Sequence, residues 1–83
     1  MSHVYTLKAD GRRWNVAISP ATSYGYFEPA SGEEGGGLWF DGRNLIDYDG
    51  QFVLPREACD LLVSLGYHVD ADFYPDGIAT PAP

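Results

Sequence analysis

Asp10-Gly11 separates two stretches of alternating character, His-Val-Tyr-Thr-Leu-Lys-Ala before it and Arg-Arg-Trp-Asn-Val-Ala-Ile after it. Asp-Gly is a favoured two-residue hairpin loop, because both residues tolerate the positive φ that a type I′ turn demands. Folding the chain about it sets Ala9 against Arg12, Lys8 against Arg13, Leu7 against Trp14, Tyr5 against Val16 and His3 against Ile18. One face of the ribbon is then apolar (Tyr5, Leu7, Trp14, Val16, Ile18) and the other polar (Thr6, Lys8, Arg13, Asn15), as in a sheet with one side on a core. Lys8 facing Arg13 is a like-charge pair, mildly destabilising unless an acid lies near.

The same punctuation continues along the chain. Residues 19–23 form a turn, and Tyr24-Gly25-Tyr26-Phe27-Glu28 is a short aromatic strand closed by Pro29, with Gly25 weakening it or marking a bulge. Residues 30–37, with Ser-Gly-Glu-Glu-Gly-Gly-Gly, read as a mobile loop. Asp41-Gly42 and Asp49-Gly50 then divide residues 38–54 into three short strands of a meander, the first turn being wider if Arg43 and Asn44 join it. The spacing predicts one helix, from Pro55 at its first position to about Leu65. Ala58, Leu61, Leu62 and Leu65 make its apolar stripe, and Gly66 then Tyr67 close it in a Schellman motif. His68-Val69 offers a last strand. The expected fold is α+β: a small antiparallel sheet of five to six strands, hairpin plus meander, with one C-terminal helix packed on one face. Residues 1–75 form a single domain and residues 76–83 a flexible C-terminal tail.

A chain of 83 residues holds one small domain, and four Phe, six Tyr and two Trp are enough to give it a core. One cysteine allows neither an internal disulfide nor a cysteine-rich zinc site, so packing must stabilise the fold. The first residues lack the basic-then-apolar pattern of a secretory signal, and no apolar run approaches the roughly 20 residues of a membrane span. The expected location is cytoplasmic, without a membrane.

Individual reactive groups have bland explanations. Cys59 falls on the flank of the helix stripe and reads as a small buried thiol rather than a nucleophile. His3 and His68 lack a recognised ligand spacing with Cys59 or Asp70, so no metal is expected. Asp47-Tyr48-Asp49-Gly50 has its glycine at position 4, where a calcium loop needs it at 6, and reads as a hairpin turn. The glycines between 32 and 37 enclose two glutamates and no lysine, which repels phosphate. No cofactor is expected, and the acids lack an apolar pocket to raise a pKa for acid–base catalysis. The chain is read as a binding protein and not an enzyme.

Charge is the remaining signal. Five Lys and Arg face twelve Asp and Glu for a net −7, and only the first 13 residues are basic, through Lys8, Arg12 and Arg13 against Asp10. From Trp14 onward Arg43 and Arg56 face eleven acids. Direct nucleic-acid binding needs Lys and Arg at phosphates, so a basic protein surface is the expected partner. The residues expected to meet it are Glu33, Glu34, Asp41, Asp47, Asp49, Asp70, Asp72 and Asp76, interspersed with Tyr24, Tyr26 and Trp39. In size, acidity and α+β character the chain resembles the small anti-CRISPR proteins and DNA mimics that phages direct at bacterial defences. The resemblance carries no motif and assigns no residue; it implies an inhibitor that occupies the DNA-binding groove of a CRISPR effector complex. The alternative is an immunity-type or accessory subunit that recognises one protein without imitating nucleic acid. A homodimer through an edge strand at residues 24–28 is compatible with either.

Overall fold

The computed structural model describes residues 2–81. Its sheet contains β1 (His3–Ala9), β2 (Arg12–Ser19), β3 (Tyr24–Pro29), β4 (Gly36–Asp41) and β5 (Asn44–Tyr48), all antiparallel and adjacent in chain order. One helix, α1 (Arg56–Ser64), follows, so the fold is α+β with its helix in the C-terminal part.

The hairpin pairs as its turn chemistry demands, from His3 opposite Ile18 to Ala9 opposite Arg12. Asp10 and Gly11 adopt φ of +55° and +76°, the left-handed pair of a type I′ loop. Trp14, Val16 and Ile18 are buried while Tyr5 and Leu7 are half-buried, so the apolar face lies on the core. The Trp14 ring stacks on Phe27 at 4.8 Å and receives the edge of Phe52 at 5.3 Å, and its Nε1–H donates to the Ala9 carbonyl at 2.9 Å. Phe27 and Leu38 have no exposed surface; burying such side chains stabilises by about 1.5–3 kcal/mol each.

Four features differ from expectation. Gly36 and Gly37 belong to β4, not to the preceding loop. A side chain at Gly36 would overlap the backbone of Gly50, so this strand needs glycine to let the 49–51 turn lie against it. Residues 51–54 do not pair as a sixth strand; Phe52 and Leu54 turn into the core instead, with the Tyr48 hydroxyl donating to the Phe52 carbonyl at 2.6 Å. The β4–β5 loop is Gly42-Arg43, flanked by Asp41 opposite Asn44, and the register shifts between Trp39 and Phe40 so that Ile46 is the extra residue of a bulge. Finally, β3 is the central strand, bonded on both sides, and offers no edge for dimerisation.

α1 starts one residue later than expected, with Pro55 as its N-cap and Glu57 in the first turn. Its buried face is Ala58, Cys59, Leu62 and Val63, leaving Leu61 and Leu65 half-buried at the margin of the predicted stripe. The end is a Schellman motif: Gly66 has φ of +95°, its N–H bonds Val63 and the Tyr67 N–H bonds Leu62, each at 3.0 Å. The turn returns the chain to β5, where His68 makes one parallel bridge to Asn44 rather than a strand. Beyond a short 3-10 helix at Ala71–Phe73, Asp76 and Thr80 bond Arg56, and Thr80 also bonds Asp60. The start of the predicted tail thus lies along α1; residues 82 and 83 lie outside the described residues.

Candidate protein-docking face

Side chains alternate across a sheet, so whatever β2, β3 and β4 do not send into the core must emerge on the opposite face. The register places Val4, Ala17, Tyr26 and Gly37 in one row there, and Ser19, Tyr24, Trp39 and Asp47 in the next. The three aromatic candidates therefore converge. Tyr24 meets Trp39 edge to face at 4.6 Å, the arrangement favoured by the ring quadrupoles. Trp39 is 42% exposed, Val4 65% and Ile46 59%, while Tyr24 and Tyr26 are half-buried. α1 packs on the other face.

Gly37 is the floor of this cluster. A β-carbon there would stand 3.1–3.2 Å from the Tyr24 ring, its hydroxyl and the Trp39 Nε1. Ala17, also small and opposite Tyr26, lines a shallow dent with Tyr24, Tyr26 and Ser2. The Tyr26 hydroxyl is held by the Gly35 N–H at 3.1 Å, which fixes the ring. Gly37, Ala17 and Ile46 were not among the predicted site residues. Carrying the hairpin register two strands further, Ala17 to Tyr26 to Gly37, is the signal that finds the first two.

Of the acidic candidates, Asp41 and Asp47 share the aromatic face. Asp47 lies opposite Trp39, and Asp41 ends the same strand on the same face. Asp47 also accepts the Tyr48 N–H at 2.9 Å. Asp49 is turned inward upon the Gly37 N–H at 2.6 Å, so it ties the turn to β4. In the β3–β4 loop Glu33 pairs with Arg12 at 2.8 Å, and the Glu34 carbonyl receives Gln51 at 3.0 Å. Asp70, Asp72 and Asp76 follow α1. Asp76 pairs with Arg56 at 2.7 Å; the Ile78 N–H, and after it this guanidinium, hold its carboxyl below the usual range. On the aromatic face the basic residues Lys8 and Arg13 stand at one end, with Glu28 in the adjoining row, and Asp41 and Asp47 towards the other.

Cys59 is fully buried; burial, helped by neighbouring Asp60, pushes its thiol up to about 11, and its Sγ–H donates to the Phe73 carbonyl at 3.6 Å. Burial, followed by the charge of Asp49, raises Tyr48 to about 12. Among the described residues no three His, Cys, Asp or Glu side chains converge as metal ligands. An open groove of about 570 Å³ lies elsewhere, between Arg43, Val63, Tyr67, His68 and Thr80. No helix among the described residues is long and apolar enough to cross a membrane. No family model, curated protein or solved structure matches the chain.

Proposed function

We propose that this chain is a stoichiometric protein-binding inhibitor that lays the outer face of its sheet on a basic, nucleic-acid-binding surface of a partner. The observation that supports it is the convergence of Tyr24, Tyr26 and Trp39, with Val4 and Ile46, on a sheet face that no element of the described residues covers. Tyr and Trp supply contact area at low entropy cost and are enriched among residues that dominate binding energy. The net charge of −7 steers the encounter towards a cationic partner, while the aromatic cluster governs residence. By its resemblance to anti-CRISPR proteins, the first partner to test is a CRISPR effector complex, with displacement of target DNA as the inhibitory step.

The second reading, specific recognition of one protein without mimicry of nucleic acid, draws support from a different observation. Lys8 and Arg13 share the outer face, and Glu33, Asp49 and Asp76 are engaged in bonds within the chain, so the acids do not line up as a phosphate strand does. Titrating the purified chain into a purified, fluorescently DNA-loaded effector complex over a salt series separates the two. Under the first reading DNA is released, affinity falls with salt, and Trp39→Ala abolishes release. Binding that leaves DNA in place and ignores salt favours the second, and no binding by either route removes this partner class.

A further inference from the structure

The two edges of the sheet are unequal. On β5 the Leu45 N–H donates to the His68 carbonyl at 3.0 Å, the His68 N–H donates to the Arg43 carbonyl at 2.6 Å, and the Ile46 bulge bends what remains. These are the devices by which sheets guard an edge. β1 lacks both the added pairing and the bulge: its guards are Lys8 near one end and α1, which lies against the strand without pairing with it. It runs for seven residues without Pro, Gly or a break in register, and nothing among the described residues pairs with its outer side.

Its outward groups can be assigned. A two-residue loop makes Ala9 and Arg12 a hydrogen-bonded pair, and such pairs alternate with non-bonded ones. Lys8 with Arg13, Thr6 with Asn15 and Val4 with Ala17 are therefore the non-bonded pairs. The Arg13 carbonyl supports this, because it faces β3 and accepts the Ala30 N–H at 3.0 Å. The N–H and C=O of Val4, Thr6 and Lys8 thus point away from the sheet.

We infer that β1 pairs antiparallel with β1 of a second copy about a two-fold axis at Thr6, joining two five-stranded sheets into one. This register sets Thr6 against Thr6 and Val4 against Lys8, using all three outward donors and acceptors of each strand. It keeps like faces together, with half-buried Tyr5 opposite Leu7 of the second copy on the core side. On the outer side the exposed Val4 is covered by the methylenes of the second copy's Lys8. Charge favours the same edge: β1 holds no acid in a chain of net −7, so the acid-rich parts of two copies stay apart. Centring on Thr6 also keeps the two Lys8 at opposite ends of the ladder, whereas centring on Leu7 makes them diagonal neighbours.

Sedimentation equilibrium of the intact chain over a concentration series, with circular dichroism of each variant, tests the pairing. The wild-type chain sediments at twice the monomer mass. Thr6→Lys sets like charges across the axis, and Thr6→Pro removes an N–H that β2 does not use; both keep the native spectrum and lose the dimer. Thr6→Cys forms a disulfide-linked dimer on mild oxidation, because facing Cα atoms of a bonded pair are ~5.5 Å apart. Val4→Cys, facing Lys8, stays unlinked. A wild-type chain that is monomeric at every concentration overturns the inference, as does a dimer that survives both Thr6→Lys and Thr6→Pro, or Val4→Cys linking as readily as Thr6→Cys.

Discussion

Both faces of the sheet carry aromatic rings, yet they use them differently. On the inner face Trp14 and Phe27 stack nearly parallel, 11° apart, with Phe52 against Trp14, and lose almost all contact with water. On the outer face Tyr24 and Trp39 meet edge to face above a glycine and stay wet. The inner rings stabilise the fold; the outer pair is preorganised by a neighbouring ring and a rigid strand, with its free surface left over. Aromatic content alone does not separate a core from a docking site. Cover does, and α1 covers only one face.

The largest effect expected is on the inner face: Phe27→Ala should cost about 3–5 kcal/mol in urea unfolding, because it opens a cavity against Trp14 and Tyr48. Adjacent glycines give the sharpest contrast between faces. A β-carbon at Gly36 meets the unyielding backbone of Gly50, so Gly36→Ala should destabilise by about 3 kcal/mol. At Gly37 it meets the far ends of two side chains, so Gly37→Ala should leave the urea midpoint nearly unchanged while moving Trp39 fluorescence. Equal losses at both positions would break the comparison. Trp39→Ala should cost about 1 kcal/mol of stability, the scale of one aromatic pair, and abolish partner binding.

Smaller effects come from the hydroxyls. Tyr48 is raised to about 12 in the folded chain against 10.0 for the free group. Between those values the folded state holds the proton that the unfolded state has lost, so this contribution is complete below pH 10 and fades as pH rises through 12. Tyr48→Phe should flatten the fall in stability across that window, while losing about 1 kcal/mol at neutral pH with the bond to Phe52. The Tyr74 hydroxyl is buried without a partner among the described residues, so Tyr74→Phe should be neutral or stabilising by up to about 1 kcal/mol in the same assay.

What the sequence made legible was local. The hairpin register followed from Asp10-Gly11 and alternation, and the helix end from Gly66, because each is decided by residues a few positions apart. Gly36 and Gly37 look like loop residues in sequence because the groups they lie against, the Gly50 backbone that requires a glycine at 36 and the Tyr24 ring beside 37, are 14 and 13 positions away. The bulge at Ile46 and the loss of a strand at 51–54 were hidden for a related reason: Phe52 fits a strand pattern, but Trp14 draws it into the core instead. Of the candidate site, Tyr24, Tyr26 and Trp39 were legible as surplus to what one helix can cover, whereas the scatter of the acids over both layers depended on topology. Asp49 shows the limit well. Nothing near it in sequence announces that its carboxylate is required by the Gly37 N–H.

The identity of spatial and sequence order in the sheet bears on how the chain acquires its structure. Every strand pairs only with its immediate predecessor and successor, so a growing chain can zip the sheet outward from the first hairpin with short loop closures. α1, however, packs across β1 from the far end of the sequence. Until residues 56–64 emerge and dock, the inner face lacks its helix, and Phe52 and Leu54 are the segment already lying against it. A nascent chain halted before the helix would be a sheet with two sticky surfaces, and the last third of the polypeptide serves to cap one of them.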